Sequence, residues 1–246
     1  MYFLLRCAAV LAALLAPIPG PAWAASPDRD PLVLPHTAAA LADHDPLRIV
    51  AFGSSSTEGI GATSPAASYP SRLQIELGAA LPKLPVIVVN RGRGGEDAED
   101  MARRLPGIIA QHPDLVIWQT GTNDVLHDVP LARFVALTRA GILAMRAAGI
   151  DVMLIEPQRC RALDAIPDAG RYREAVRALG AEFGVPVIRR YDLMLLWTKG
   201  GPPNRGQLMS GDGLHMGDGG YALLAKEVAR TILGDAELPP ARAEAE

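Results

Sequence analysis

Five apolar runs of strand length, separated by segments of helical pattern, constrain the fold of this 246-residue chain more than any other feature. The runs are Leu47 to Phe52, Val86 to Val89, Leu115 to Trp118, Val152 to Ile155 and Val185 to Ile188. Helical patterns fall between them at Tyr69 to Leu81, Ala98 to Gln111, Leu131 to Ala148 and Arg171 to Phe183, with a last one at Tyr221 to Leu233. Gly149 and Gly184 stand where a helix-ending glycine is expected. The strand runs are nearly continuous rather than alternating, so both faces of the sheet must be covered. That predicts an α/β fold, a parallel sheet between two helix layers.

In such a sheet the turns at the carboxyl ends of the strands share one edge, where open α/β folds place their chemistry. The first strand runs into Gly53-Ser54-Ser55-Ser56-Thr57-Glu58-Gly59. The second runs into Asn90-Arg91-Gly92-Arg93-Gly94-Gly95-Glu96-Asp97, and the third into Gln119-Thr120-Gly121-Thr122-Asn123-Asp124. Asp212-Gly213-Leu214-His215 leads into the last helix. These residue types suit acyl transfer. A serine hydroxyl needs a histidine to take its proton, and the histidine needs a carboxylate to orient it. Asp212 and His215, three residues apart, can be presented together by one turn. Oxyanion donors are available in the Ser55 N–H, a glycine N–H of the second segment such as Gly95, and the Asn123 side-chain amide. Gly92 and Gly94 compete with Gly95 on residue type alone.

FGSSSTEG, NRGRGGED, GTND and DGLH stand in the order of the four blocks of the SGNH (GDSL-type) hydrolase superfamily, which the chain resembles from residue 47 to its last helix. The resemblance implies a three-layer α/β/α sandwich with a flavodoxin-like parallel sheet of about five strands. It implies Ser55 as nucleophile, His215 as general base and Asp212 as its partner. Ser55, Gly95 and Asn123 would form the oxyanion hole, Gly95 being the glycine whose spacing from Asn90 matches the family block. Ser54 departs from the pattern, since the family usually has aspartate there. That aspartate is not the catalytic acid, but the departure bears on hydrogen bonding around the nucleophile turn. The absence of G-x-S-x-G argues against a lipase-type α/β-hydrolase.

The remaining segments bound the setting. Arg6, the apolar run Cys7 to Ala16, and Ala22-Trp23-Ala24 have the layout of a secretory signal peptide (1–24) cut after Ala24. The run is about half the length a bilayer span needs. Residues 25–46 are expected to be a linker or surface strap carrying His36 and His44; 47–233 form the hydrolase domain and 234–246 a polar tail. Cleavage would remove Cys7 and leave Cys160, so no intrachain disulfide is expected. Cys160 lies between Arg159 and Arg161, a setting that lowers thiol pKa values, although a buried structural cysteine is the commoner case. A formal charge of −3 offers nothing for nucleic acid. Asp212, His215 and Asp218 lack the further ligands a metal needs, so neither metal nor cofactor is expected. Asp124 reads as structural, His127 as a surface residue, and the charges of the second segment as a solvated helix start or a polar substrate rim.

The sequence thus predicts a periplasmic or secreted serine esterase, not an integral membrane protein after cleavage. Its substrate would be a small-molecule or glycan ester, with a short acyl group on carbohydrate preferred. A lysophospholipase or thioesterase and an O-acyltransferase would use the same residues. A non-catalytic glycan-binding module is the rival from another class. The loops Pro157 to Gly170 and Lys199 to Met209 are expected to shape the substrate pockets.

Overall fold

The parallel sheet forms in the order the strand runs require. In the computed structural model, which describes residues 34–199 and 205–235, strands β1 (Leu47–Gly53), β2 (Val86–Gly92), β3 (Leu115–Gln119), β4 (Asp151–Ile155) and β5 (Val187–Ile188) are all parallel and lie in the order 2-1-3-4-5. The strand order reverses between β1 and β3, so a crevice opens between their carboxyl ends. β1 carries the nucleophile turn into that crevice.

The two-residue period of a strand assigns each side chain to a face. Leu47, Ile49 and Ala51 of β1, Leu115 and Ile117 of β3, and Met153 and Ile155 of β4 face one core. Helices α1 (Pro35–Asp43), α3 (Tyr69–Ala80) and α11 (Asp218–Asp235) close that side. Val50, Phe52, Val116, Trp118, Val152 and Leu154 face the other core, closed by α4 (Ala98–Ile109), α6 (Leu131–Ala147) and α8 (Ala169–Phe183). β3 and β4 are buried at every position, whereas the edge strand β2 is only half-covered. Each fully buried Val, Leu or Ile contributes about 1.5–3 kcal/mol, so the central strands, not the edges, anchor the crevice.

Two expectations change. Part of the expected linker folds: Pro35–Asp43 is helix α1, with Pro at its start and Ala40 and Leu41 buried against the first core. The Thr37 N–H donates to Asp151 Oδ2 at 2.8 Å, tying the helix to the start of β4. An alanine-rich stretch with only two buried apolar positions has too weak a period to be read as a helix from sequence. The last strand is also shorter than its apolar run, because Val185 packs into the second core ahead of Val187–Ile188. An eight-residue helix, α9 (Arg190–Trp197), follows β5 directly and was not expected. The expected signal peptide, the linker before residue 34 and the tail beyond residue 235 lie outside the described residues. Among the described residues no helix is long and apolar enough to cross a membrane.

Candidate active site

The nucleophile turn is held from below by a neighbouring strand end. Ser55 opens α2 (Ser55–Glu58), directly after β1. Gln119, the last residue of β3, turns its side-chain oxygen toward this turn and accepts from Ser54 N (3.0 Å), Ser54 Oγ (3.1 Å) and Thr57 Oγ1 (3.2 Å). Ser54, at the position where aspartate is usual, is therefore a buried donor to a neutral amide, not an acceptor. Gly92 packs so closely beneath the turn that a Cβ would lie 2.0 Å from the Glu58 nitrogen.

His215 approaches from the far end of the chain. Its Nε2 lies 2.8 Å from Ser55 Oγ and its Nδ1 lies 2.6 Å from Asp212 Oδ2. The other carboxylate oxygen, Asp212 Oδ1, accepts from Ser210 Oγ (2.7 Å) and from the N–H groups of Leu214 and His215 (2.8 Å each). Burial pushes the Asp212 carboxyl up, but the bonds from His215, Ser210 and Leu214 outweigh it and hold the group well below the usual carboxylate range. A short antiparallel bridge between Met209 and Met216, with Ser210 N donating to the His215 carbonyl, closes the loop that carries both residues.

Sequence reasoning did not find what fastens this loop to the nucleophile turn. Thr63, just beyond the turn, donates its N–H and hydroxyl to the two Asp218 carboxylate oxygens at 2.8 and 2.6 Å, and Tyr221 Oη donates to the Ile60 carbonyl at 2.6 Å. Gly61, at φ +90°, lies against the loop itself: a Cβ there would meet the Met216 carbonyl oxygen at 2.5 Å and the His215 Cβ at 3.0 Å. Asp218, grouped with Asp212 and His215 as a conceivable metal ligand set, is spent on Thr63. Among the described residues no group of three or more His, Cys, Asp or Glu side chains is placed to hold a metal.

The three glycines of the second segment separate by what their N–H groups do. Gly92 N donates to Asn90 Oδ1 at 2.9 Å and Gly94 N to Glu58 Oε2 at 2.6 Å. The Gly95 N–H has no acceptor among the described residues, and its φ of +78° is one that glycine adopts without strain. Gly94 lies against Ser55, where a Cβ would be 3.8 Å from the Ser55 Cβ. Asn123 sits in α5 (Thr122–Leu126) after β3, and its Nδ2 donates one hydrogen to the Glu96 carbonyl at 2.7 Å, leaving the second free. The structure thus gathers Ser55, the Gly95 loop and the Asn123 amide at one edge with His215 and Asp212.

The other charged residues near the crevice serve the scaffold. Asp97 caps α4 through Glu99 N and Asp100 N and pairs with the exposed His127 at 3.2 Å. Glu96 pairs with Arg104, and Glu99 with Arg133 at 2.9 Å. These pairings match a solvated helix start. Asp124 is buried and accepts from Ala98 N at 3.0 Å; burial, with the nearby Asp97 charge, pushes its carboxyl up to about 6. Cys160 is fully buried, which raises its thiol pKa despite the flanking arginines.

A parallel 2-1-3-4-5 sheet with a serine, histidine and aspartate hydrogen-bonded in series at its carboxyl edge defines an SGNH-type serine hydrolase acting on esters. The sequence model of the non-GDSL lipase-like family matches residues 22–232, and the chain belongs to that family. Among solved structures, a lipase/acylhydrolase from Enterococcus faecalis is 28% identical, with 80% of this chain and 100% of that one covered and a TM-score of 0.62. An acetyl xylan esterase is 23% identical over 75% and 99% of the two chains, with a TM-score of 0.65. A two-domain esterase active on acetylated mannans is 17% identical over 86% of this chain and 56% of that one, with a TM-score of 0.66. The comparison with curated proteins returns no significant match.

Proposed function

We propose that the chain hydrolyses short-chain acyl esters, with O-acetyl groups on carbohydrate as the preferred substrate, through an acyl-serine intermediate on Ser55. The observation that carries this reading is the unbroken series Ser55 Oγ, His215 and Asp212, at 2.8 and 2.6 Å. His215 Nε2 takes the Ser55 proton as Oγ attacks the ester carbonyl, and Asp212 holds the ring and stabilises the imidazolium that forms. The Ser55 and Gly95 N–H groups and the free Asn123 amide hydrogen receive the oxyanion. His215 then protonates the leaving alcohol, and in the second half it deprotonates the water that releases the acid. The glycan preference draws on the acetyl xylan and acetylated mannan esterases that share the fold, and on the signal-peptide layout that would send the chain to the periplasm or outside the cell.

The test is hydrolysis of p-nitrophenyl esters from acetate to octanoate, beside Ser55→Ala and with fluorophosphonate labelling. Acetate is expected to turn over fastest, Ser55→Ala to lose all but a residual roughly 10³-fold or less over water, and the label to map to Ser55. Equal rates for the two proteins would remove the mechanism; octanoate turning over faster would move the substrate to lipids or thioesters.

A further inference from the structure

Behind the His215 loop lies a fully buried guanidinium that nothing in the mechanism above uses. Arg190 opens α9 and is 0% exposed. Its Nε donates to the Glu156 carbonyl at 3.0 Å and its Nη2 to Gln158 Oε1 at 2.7 Å, both neutral acceptors. The neighbouring Glu156 carboxylate is engaged elsewhere, by Arg177 at 2.6 and 2.9 Å and by Tyr191 N at 3.0 Å. A buried cation with no carboxylate bonded to it is costly, and burial pulls the Arg190 pKa down to about 10.

What the charge does is fix one amide. A guanidinium has only donors, so it holds Gln158 by the oxygen, and Thr122 Oγ1 donates to the same atom at 3.0 Å. The amide nitrogen is thereby turned outward, where it donates to the Leu214 carbonyl at 3.1 Å. That carbonyl belongs to the Leu214–His215 peptide, whose N–H donates to Asp212 Oδ1 at 2.8 Å. Hydrogen bonds in series polarise one another, most strongly where water is excluded. The series runs from Arg190 through the Gln158 amide and one peptide group to the carboxylate that orients His215. Its Thr122 branch reaches the residue before Asn123.

We propose that Arg190 and Gln158 are positioning residues for the ester-hydrolysing site, acting as a polarised relay that sets the Asp212–His215 loop against Ser55. The proposal rests on the reading of Ser55, His215 and Asp212 given above. It goes beyond that reading in assigning a task to two buried residues that touch no reacting atom.

Gln158→Glu and Gln158→Met separate relay from packing. A glutamate keeps the bonds to Arg190 and Thr122 and neutralises the buried cation, but it has no proton for the Leu214 carbonyl. The expected result is a melting temperature for Gln158→Glu at or above that of Gln158→Met, with kcat in both reduced roughly tenfold or more and KM nearly unchanged, as for a displaced catalytic group. The backbone amide proton of His215 is expected to move upfield in both variants, read by NMR without substrate. That resonance makes a failed relay distinguishable from a failed esterase reading, which Ser55→Ala tests. A glutamate that restores kcat together with stability, or a His215 amide proton at its wild-type position in either variant, would overturn the proposal.

Discussion

Asp124 and Asp212 stand on the same edge of the sheet, each beside a residue assigned to the chemistry, yet their environments oppose one another. Asp212 is half-exposed, and four donors, counting the His215 ring, converge on it from three residues within one loop. In bonds, these are Ser210 Oγ, Leu214 N, His215 N and His215 Nδ1. Asp124 is fully buried, and its Oδ2 has no partner among the described residues. The first is held well below the usual carboxylate range; the second is pushed up to about 6. Depth, with the nearby Asp97 charge, raises the buried strut, whereas a shallow setting with converging donors keeps the His215 partner charged.

Asp212→Asn breaks the catalytic half of this contrast and carries the largest expected effect. Three donors converge on Oδ1, so an asparagine is forced to place its oxygen there and its NH₂ toward His215 Nδ1. Nδ1 must then accept, which puts the ring proton on Nε2, facing Ser55. A base already protonated toward its nucleophile cannot take a second proton, and kcat should fall by about 10³–10⁴-fold, with the loop and the melting temperature retained. Steady-state kinetics beside thermal unfolding checks this. A fall in stability matching the fall in kcat would show that Asp212 holds the loop, not the tautomer.

Asp124→Asn tests the strut. A carboxyl at 3.8 in the unfolded chain and about 6 in the folded one binds more protons when folded. Stability then falls as pH rises from about 4 to 6, because the folded state must give up a proton it favours. The cost at neutral pH is on the order of 2 kcal/mol, taking about 1.4 kcal/mol per pKa unit and allowing for partial relaxation. Asparagine keeps an oxygen for Ala98 N and carries no charge. Urea unfolding at pH 4, 5.5 and 7.5 should show a slope in the wild type that is lost in the variant, which becomes the more stable of the two at pH 7.5. Parallel curves would mean that Asp124 titrates normally.

The sequence made one half of this comparison far more legible than the other. Asp212 and His215 declare themselves by a three-residue spacing within one turn, and the strand runs place Ser55 and Asn123 at neighbouring strand ends. Their supports are scattered. Gln119 meets Ser54 across 65 residues, Gln158 meets Leu214 across 56, and Thr63 meets Asp218 across 155. No local pattern distinguishes such a glutamine from a solvated one, because its partner is set by sheet register and not by spacing. Gly61 is hidden for the same reason: the His215 loop it lies against is made by residues more than a hundred positions away. Among Gly92, Gly94 and Gly95 residue type alone does not choose; the spacing from Asn90 in the family block singles out Gly95, and hydrogen bonding then tells the three N–H groups apart.

The smallest effect is expected at Ser54, where the chain departs from the GDSL-type pattern and where a carboxylate would join the buried side of the comparison. Ser54 is 1% exposed and faces the Gln119 oxygen, an acceptor, so an acid there would be desolvated like Asp124 without the Ala98 donor. The serine hydroxyl instead supplies one of three hydrogen bonds to that oxygen. Ser54→Ala removes one bond while the Ser54 N–H and Thr57 still satisfy the acceptor, so no buried group is orphaned. The cost should be about 0.5–1.5 kcal/mol in stability. Because the Ser55 N–H and α2 are positioned by the backbone bond that remains, kcat should change by less than the roughly tenfold expected of a displaced group. Denaturation midpoints beside ester kinetics decide it. A larger loss of kcat would mean that the Ser54 hydroxyl, not the backbone bond to Gln119, aims the nucleophile.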